Sequence, residues 1–99
     1  SIGKYLFDYA NLDLSIGGQS KGLTQREADI LYYLAKRPNQ VIRRSDILED
    51  IWGKDDYFYG RSLDVFISRL RKYLNEDPEI SIENVHSVGF KLNFPDGKA

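Results

Sequence analysis

A chain of 99 residues without a cysteine makes one domain and excludes disulfides and thiolate metal sites. Its single histidine, His86, leaves nothing for a His-based zinc centre or a Ser-His-Asp triad, so no cofactor or metal is called for. The net charge of −1 argues against indiscriminate binding to polyanions, and no apolar run approaches membrane-spanning length. The first residue is Ser1 and not Met, without a signal-peptide pattern, so the chain is expected to be a fragment of a longer, cytoplasmic protein.

Residues 4–23 read as short strands. Segments 4–8 and 11–15 have strand length, and the second alternates polar with apolar. Gly17-Gly18 supplies a turn, and residues 19–23 the returning strand. Thr24-Gln25-Arg26-Glu27 is a capping box that opens a first helix, with Ala28, Leu31, Leu34 and Ala35 on one face. Pro38-Asn39 places its end near Arg37. Val41-Ile42 suits a brief extended segment. A second helix is predicted over roughly 45–52, with Ser45 as the best local N-cap, a start already at Arg43 or Arg44 as the alternative, and Gly53 as its stop.

Residues 54–60 read as a loop containing Asp55-Asp56-Tyr57-Phe58-Tyr59. A third helix is predicted from about 62 to 75, with Ser62 as a candidate N-cap and Asp64 in the first turn, where the helix dipole favours an anion. Residues 82–86 and 90–94 then form two strands around Ser87-Val88-Gly89, with Gly89 at the tight position.

The third helix is the most informative element. Leu63, Ile67, Leu70 and Leu74 make one apolar stripe, and Arg61, Val65, Arg69 and Lys72 fall opposite it. Residues 61–74 hold four cations and one anion, a net of +3, which leaves −4 on the rest of the chain. That asymmetry favours one oriented cationic face. A hairpin directly after such a helix is the order of a helix-turn-helix with an appended wing.

At this point the chain resembles the C-terminal DNA-binding domain of OmpR/PhoB-type response regulators. The resemblance covers nearly the whole chain. It rests on Leu23-Thr24-Gln25-Arg26-Glu27, Ile51-Trp52-Gly53, Arg61-Ser62-Leu63-Asp64-Val65, Ile67-Ser68-Arg69-Leu70-Arg71-Lys72-Tyr73-Leu74 and Val85-His86-Ser87-Val88-Gly89-Phe90-Lys91-Leu92. It implies an α+β winged helix over residues 1–99, with an N-terminal four-stranded antiparallel sheet, a three-helix core and a wing over about 82–94. It further implies sequence-specific binding of double-stranded DNA as the output domain of a two-component phosphorelay, on direct repeats as a tandem dimer. A receiver domain of the same full-length protein and RNA polymerase are the other implied partners. The polymerase surface maps to Lys54, Asp55, Asp56, Tyr57, Phe58, Tyr59 and Gly60, of whose three aromatics one is expected to plug the core edge instead.

The resemblance also assigns roles. Arg69 matches the position that enters the major groove, and arginine suits bidentate bonding to guanine; a phosphate contact or plain solvent exposure are its alternatives. Val65 would touch a thymine methyl or pack partly against the second helix. Arg61, Ser62, Ser68, Arg71 and Lys72 fall to phosphates, with Ser68 standing where several members carry a cation. Trp52 matches a residue whose indole N–H bonds a phosphate, with its ring contributing to the core. His86 departs from the arginine common at the wing position, and is either a weaker, pH-sensitive contact or an exposed residue without consequence. Lys91 would supply the missing charge. A winged helix turned protein-interaction module, docking an acidic partner, remains a second reading. An enzyme lacks a nucleophile–base pair and a Gly-rich loop.

Overall fold

The computed structural model describes residues 2–54 and 57–93, Tyr57 by its backbone alone. Its elements run β1 (Leu6–Asp8), β2 (Asp13–Ile16), β3 (Gln19–Gly22), α1 (Gln25–Ala35), β4 (Ile42–Arg43), α2 (Arg44–Trp52), α3 (Tyr57–Tyr73), β5 (Ser81–Val85) and β6 (Gly89–Asn93). The first three strands make an antiparallel sheet in the order β1-β2-β3, and the last three make a second in the order β4-β6-β5. Helix α1 separates the two sheets in sequence, α2 and α3 fall between β4 and β5 of the second, and Leu31, Leu34, Ile47, Leu63, Leu70 and Leu92 belong to one core.

The N-terminal sheet has three strands where four were expected. Ile2 and Tyr5 hydrogen-bond to each other in both directions, at 2.9 and 2.8 Å, around Gly3 at φ +56°. The segment closes on itself, and the strand expected over 4–8 shortens to β1. A side chain at Gly3 would be strained by that φ, and its Cβ, 2.5 Å from Ile80 Cδ1 and 2.7 Å from Asp77 Oδ2, would displace both side chains. Leu12 also leaves the expected strand, at φ 53°, so β2 begins at Asp13. Gly17 and Gly18, at φ +57° and +82°, make the turn that the sequence indicates.

Asp77 ties this N-terminal segment to the region after α3. Its buried carboxylate accepts from Lys4 N–H at 3.0 Å and Glu79 N–H at 3.1 Å. The bond from Lys4, then that from Glu79, holds its pKa below the usual carboxylate value. A carboxylate acidified by folding contributes stability above its unfolded pKa and loses that contribution as pH falls through the folded one. Asp77→Asn is therefore expected to lower the melting temperature at pH 7. The gap to the parent should narrow below about pH 4, the unfolded aspartate range; melting curves from pH 7 to 2 check it, and a constant gap contradicts it.

The capping box of α1 is present in both directions. Thr24 Oγ1 accepts from Glu27 N–H at 3.2 Å, and Glu27 Oε1 accepts from Thr24 N–H at 2.9 Å. The start of α2 differs from expectation. Its N-cap is Arg43 and not Ser45, and no side chain caps it. Arg43 still belongs to β4 opposite Gly89, and the Arg44 N–H donates to Val88 O at 3.0 Å. The hairpin thus satisfies the N–H of the first helical residue, one of the donors that a helix start leaves without an intrahelical partner.

Helix α3 begins at Tyr57, five residues before the expected Ser62. Residues 57–60 are thus helical, not loop; Ser62 is interior, not an N-cap; and Asp64 lies beyond the first turn. Gly60, the last residue of the expected loop, is a helical contact point instead. Arg44 Nη2 donates to Gly60 O at 2.6 Å, and a Cβ on residue 60 would stand 2.9 Å from that nitrogen. The same guanidinium donates to both Asp64 oxygens, at 2.6 and 3.0 Å. Helical propensity in residues 57–61 is reinforced by a tertiary anchor 16 positions away.

Candidate nucleic-acid interface

The two sides of α3 differ as its sequence demands. Leu63, Ile67, Leu70 and Leu74 are at most 2% exposed. On the opposite side Arg61, Val65, Ser68, Arg69 and Lys72 are exposed, with Val65 at 51%. Val65 therefore points outward and is not packed on α2. Ser62, on the flank, is half-buried.

Each flank of this face is fixed by a different neighbour. On the α1 side, the Arg69 guanidinium lies 5.4 Å from the Phe66 ring centroid, and its Nη1 is 3.7 Å from the buried Glu27 Oε2. Its side chain stays half exposed. On the hairpin side, Arg71 Nε donates to Ile82 O at 3.0 Å, which joins α3 to β5 and leaves the remaining guanidinium donors outward. At the α2 end, Trp52 is half-buried between Arg26, 4.6 Å from its ring, and the rings of Tyr59 and Phe66, each 6.2 Å away.

The hairpin β5–β6 stands beside α3. His86, Ser87 and Val88 form its exposed turn, and the left-handed residue there is Ser87 at φ 64°, not Gly89 as expected. Gly89 serves a close approach instead: a Cβ on it would come within 1.9 Å of Ile42 O. Lys91 does not accompany His86 at the turn. It sits mid-strand opposite Glu83, on the face away from the buried Phe90 and Leu92. Between hairpin, α2 and α3 lies a groove of about 620 Å³ lined by Arg43, Arg44, Ser45, Asp64, Asn84 and Val88, among others.

A half-exposed cationic helix with a hairpin at its side can be compared with known proteins. Residues 18–92 match the family described as "Transcriptional regulatory protein, C terminal". The chain belongs to that family. It is a winged-helix DNA-binding domain of the OmpR/PhoB response-regulator type. It is 41% identical over 95 residues to the transcriptional regulatory protein RprY of Bacteroides fragilis, covering 96% of this chain and 40% of that protein. It is 35% identical over 94 residues to the heme response regulator HssR of Staphylococcus saprophyticus, covering 94% and 42%. The chain thus spans about two fifths of the length of these curated relatives.

Among solved structures, the DNA-binding domain of Klebsiella pneumoniae RstA, in complex with the RstA box, superposes with a TM-score of 0.77 at 30% identity. The match covers 94% of each chain. The DNA-binding domain of E. coli CadC superposes with a TM-score of 0.82 at 26% identity, over 96% of this chain and 91% of that one. The family and these neighbours are DNA-binding domains of transcriptional regulators.

Within this family domain the sequence-predicted residues do not all gather. Arg61, Val65, Ser68, Arg69 and Lys72 share one exposed face of α3, and Trp52 and Arg71 border it. His86 lies at the hairpin turn, whereas Lys91 lies away from it. Of the expected polymerase surface, Phe58 is 72% exposed and Tyr59 packs on the core, as was expected of one of the three aromatics. Asp55, Asp56 and the side chain of Tyr57 lie outside the described residues, as does Phe94 of the expected wing strand.

Sequence reasoning missed two groups. The Arg44–Asp64–Gly60 cluster binds α2 to α3, and the Glu27–Tyr73–Arg69 cluster binds α1 to α3. Glu27 carries a signal in hindsight. Two faces of α1 converge on it, the capping box and the buried stripe, and a buried carboxylate requires partners beyond its own helix.

Proposed function

We propose that this domain reads duplex DNA with α3 in the major groove and the β5–β6 hairpin against the neighbouring backbone or minor groove. The observation that carries the reading is the outward face of α3, where Val65 and Arg69 stand half exposed between Arg61 and Lys72. Arg69 reads a base, and Val65 offers an apolar contact to a thymine methyl. Arg61, Ser62, Ser68, Arg71, Lys72 and Trp52 hold phosphates, which orients the helix without selecting sequence. His86 provides the hairpin's contact. Lys91, paired across the strands with Glu83, contributes through long-range charge rather than touch.

The domain is the cytoplasmic output module of a two-component response regulator, in which a receiver domain occupies part of the remaining length. The response-regulator name of HssR and the greater length of both relatives support this. Binding to direct repeats as a tandem dimer follows the family resemblance. So does a polymerase contact over 54–60, for which Phe58, 72% exposed, offers an apolar surface.

The test is a pair of alanine variants scored on duplexes selected from a random library. Arg69→Ala should cost about 1–3 kcal/mol on the selected sequence and relax preference at one base pair. Arg71→Ala should weaken all sequences alike and reduce the salt slope by roughly 1. If Arg69→Ala lowers affinity without changing relative preference, the assignment of roles is wrong. If no duplex is selected at low salt, an acidic protein partner replaces DNA as the reading.

A further inference from the structure

Glu27 does more than cap a helix. A capping box uses one carboxylate oxygen, and here Oε1 accepts from Thr24 N–H. The other oxygen faces α3. Oε2 accepts from Tyr73 Oη at 3.0 Å and lies 3.7 Å from Arg69 Nη1. Arg69 and Tyr73 are four residues apart, so one carboxylate touches two successive turns of the helix. The Glu27 side chain is 3% exposed, and Arg69 is the cation paired with it among the described residues. A buried carboxylate draws such a partner, because a charge removed from water needs compensation.

The consequence falls on the arginine. Its guanidinium has the Phe66 ring on one side and the Glu27 carboxylate at one nitrogen, while half of the side chain faces solvent. Bidentate bonding to a base edge needs the planar fork in one orientation. A long side chain already held near that orientation loses less freedom on binding. A carboxylate at this spot also repels a phosphate, which disfavours the same arginine on the DNA backbone.

We propose that Glu27 is a positioning residue for base reading: it holds Arg69 toward the base edge and away from phosphate, with Tyr73 bracing the carboxylate. This rests on the base-reading role of Arg69.

The 99-residue chain tests it, with the duplex it selects from a random library, single-base-pair variants of that duplex, and a scrambled duplex as probes. Glu27→Gln keeps the size and the acceptor for Thr24 and removes the charge. It should cut discrimination at the Arg69-dependent base pair roughly tenfold and leave discrimination at other positions within about twofold. Scrambled-duplex affinity should hold or rise. Tyr73→Phe should shift the same base pair in the same direction by a smaller factor, and it carries the test alone if Glu27→Gln fails to fold. In an Arg69→Ala background neither variant should change discrimination further. Discrimination that survives Glu27→Gln and Tyr73→Phe, or falls equally at every position, or falls additively with Arg69→Ala, overturns the proposal. If Arg69→Ala alters preference and the other two variants do not, only this inference fails. If Arg69→Ala alters no preference, the base-reading role fails and this inference with it.

Discussion

Gly89→Ala is expected to be among the most damaging single substitutions in the chain. The added methyl would stand 1.9 Å from Ile42 O, 2.7 Å from Arg44 N and 3.0 Å from Arg43 C, all backbone atoms. No rotamer change relieves such a clash. Strands β4 and β6 must separate, and with them goes the bond from Arg44 N–H to Val88 O that starts α2. A loss on the order of 3–5 kcal/mol follows, the upper range for a point change. In a domain of this size that lowers the melting temperature by at least about 12 °C. Gly22→Ala is the control, since a Cβ there would meet nothing within 4 Å and its φ is ordinary. It should change stability by no more than about 0.5 kcal/mol. Equal effects of the two substitutions, measured by thermal and urea unfolding, refute the close-approach account.

Leu70→Ala is the second large effect, and its contrast with Val65→Ala divides the two faces of α3. Leu70 is completely buried. Truncating it removes buried methyl groups and leaves a cavity, at about 2–5 kcal/mol of stability. Val65 is half exposed, so Val65→Ala should change stability by about 0.5 kcal/mol or less. Its effect should appear in DNA affinity, as preference for thymine at one position. Urea unfolding without DNA and binding to the selected duplex separate the two. A destabilised Val65→Ala, or a Leu70→Ala that keeps full stability and loses binding, would exchange the roles given to the faces.

Much of this architecture was legible because it is written in local rules. The capping box at Thr24 and Glu27, the Gly17-Gly18 turn and the apolar stripe of α3 depend on residues within a few positions of one another. What was not legible depends on long-range contacts. Gly60 reads as the end of a loop until Arg44 is seen against it. Ser45 reads as a cap until the hairpin supplies Val88 O to the preceding residue. The shortening of the first strand to Leu6–Asp8 follows from a pair of bonds between Ile2 and Tyr5 that no alternation pattern encodes.

The candidate site divides the same way. The residues of the α3 face were readable from helical period. The placement of Lys91 opposite Glu83, and the ties of Arg69 and Arg71 to Glu27 and Ile82, required the register of distant segments.

Arg44 has one more consequence. Its side chain grips α3 at Gly60 and Asp64, while its backbone N–H is bonded to Val88 in the hairpin turn. One residue thus joins helix and wing like a rivet through two plates. With α3 and the hairpin docked as proposed, a span set by folding would meet every duplex alike, and sequences whose groove width suits it should bind with less bending at positions no side chain touches.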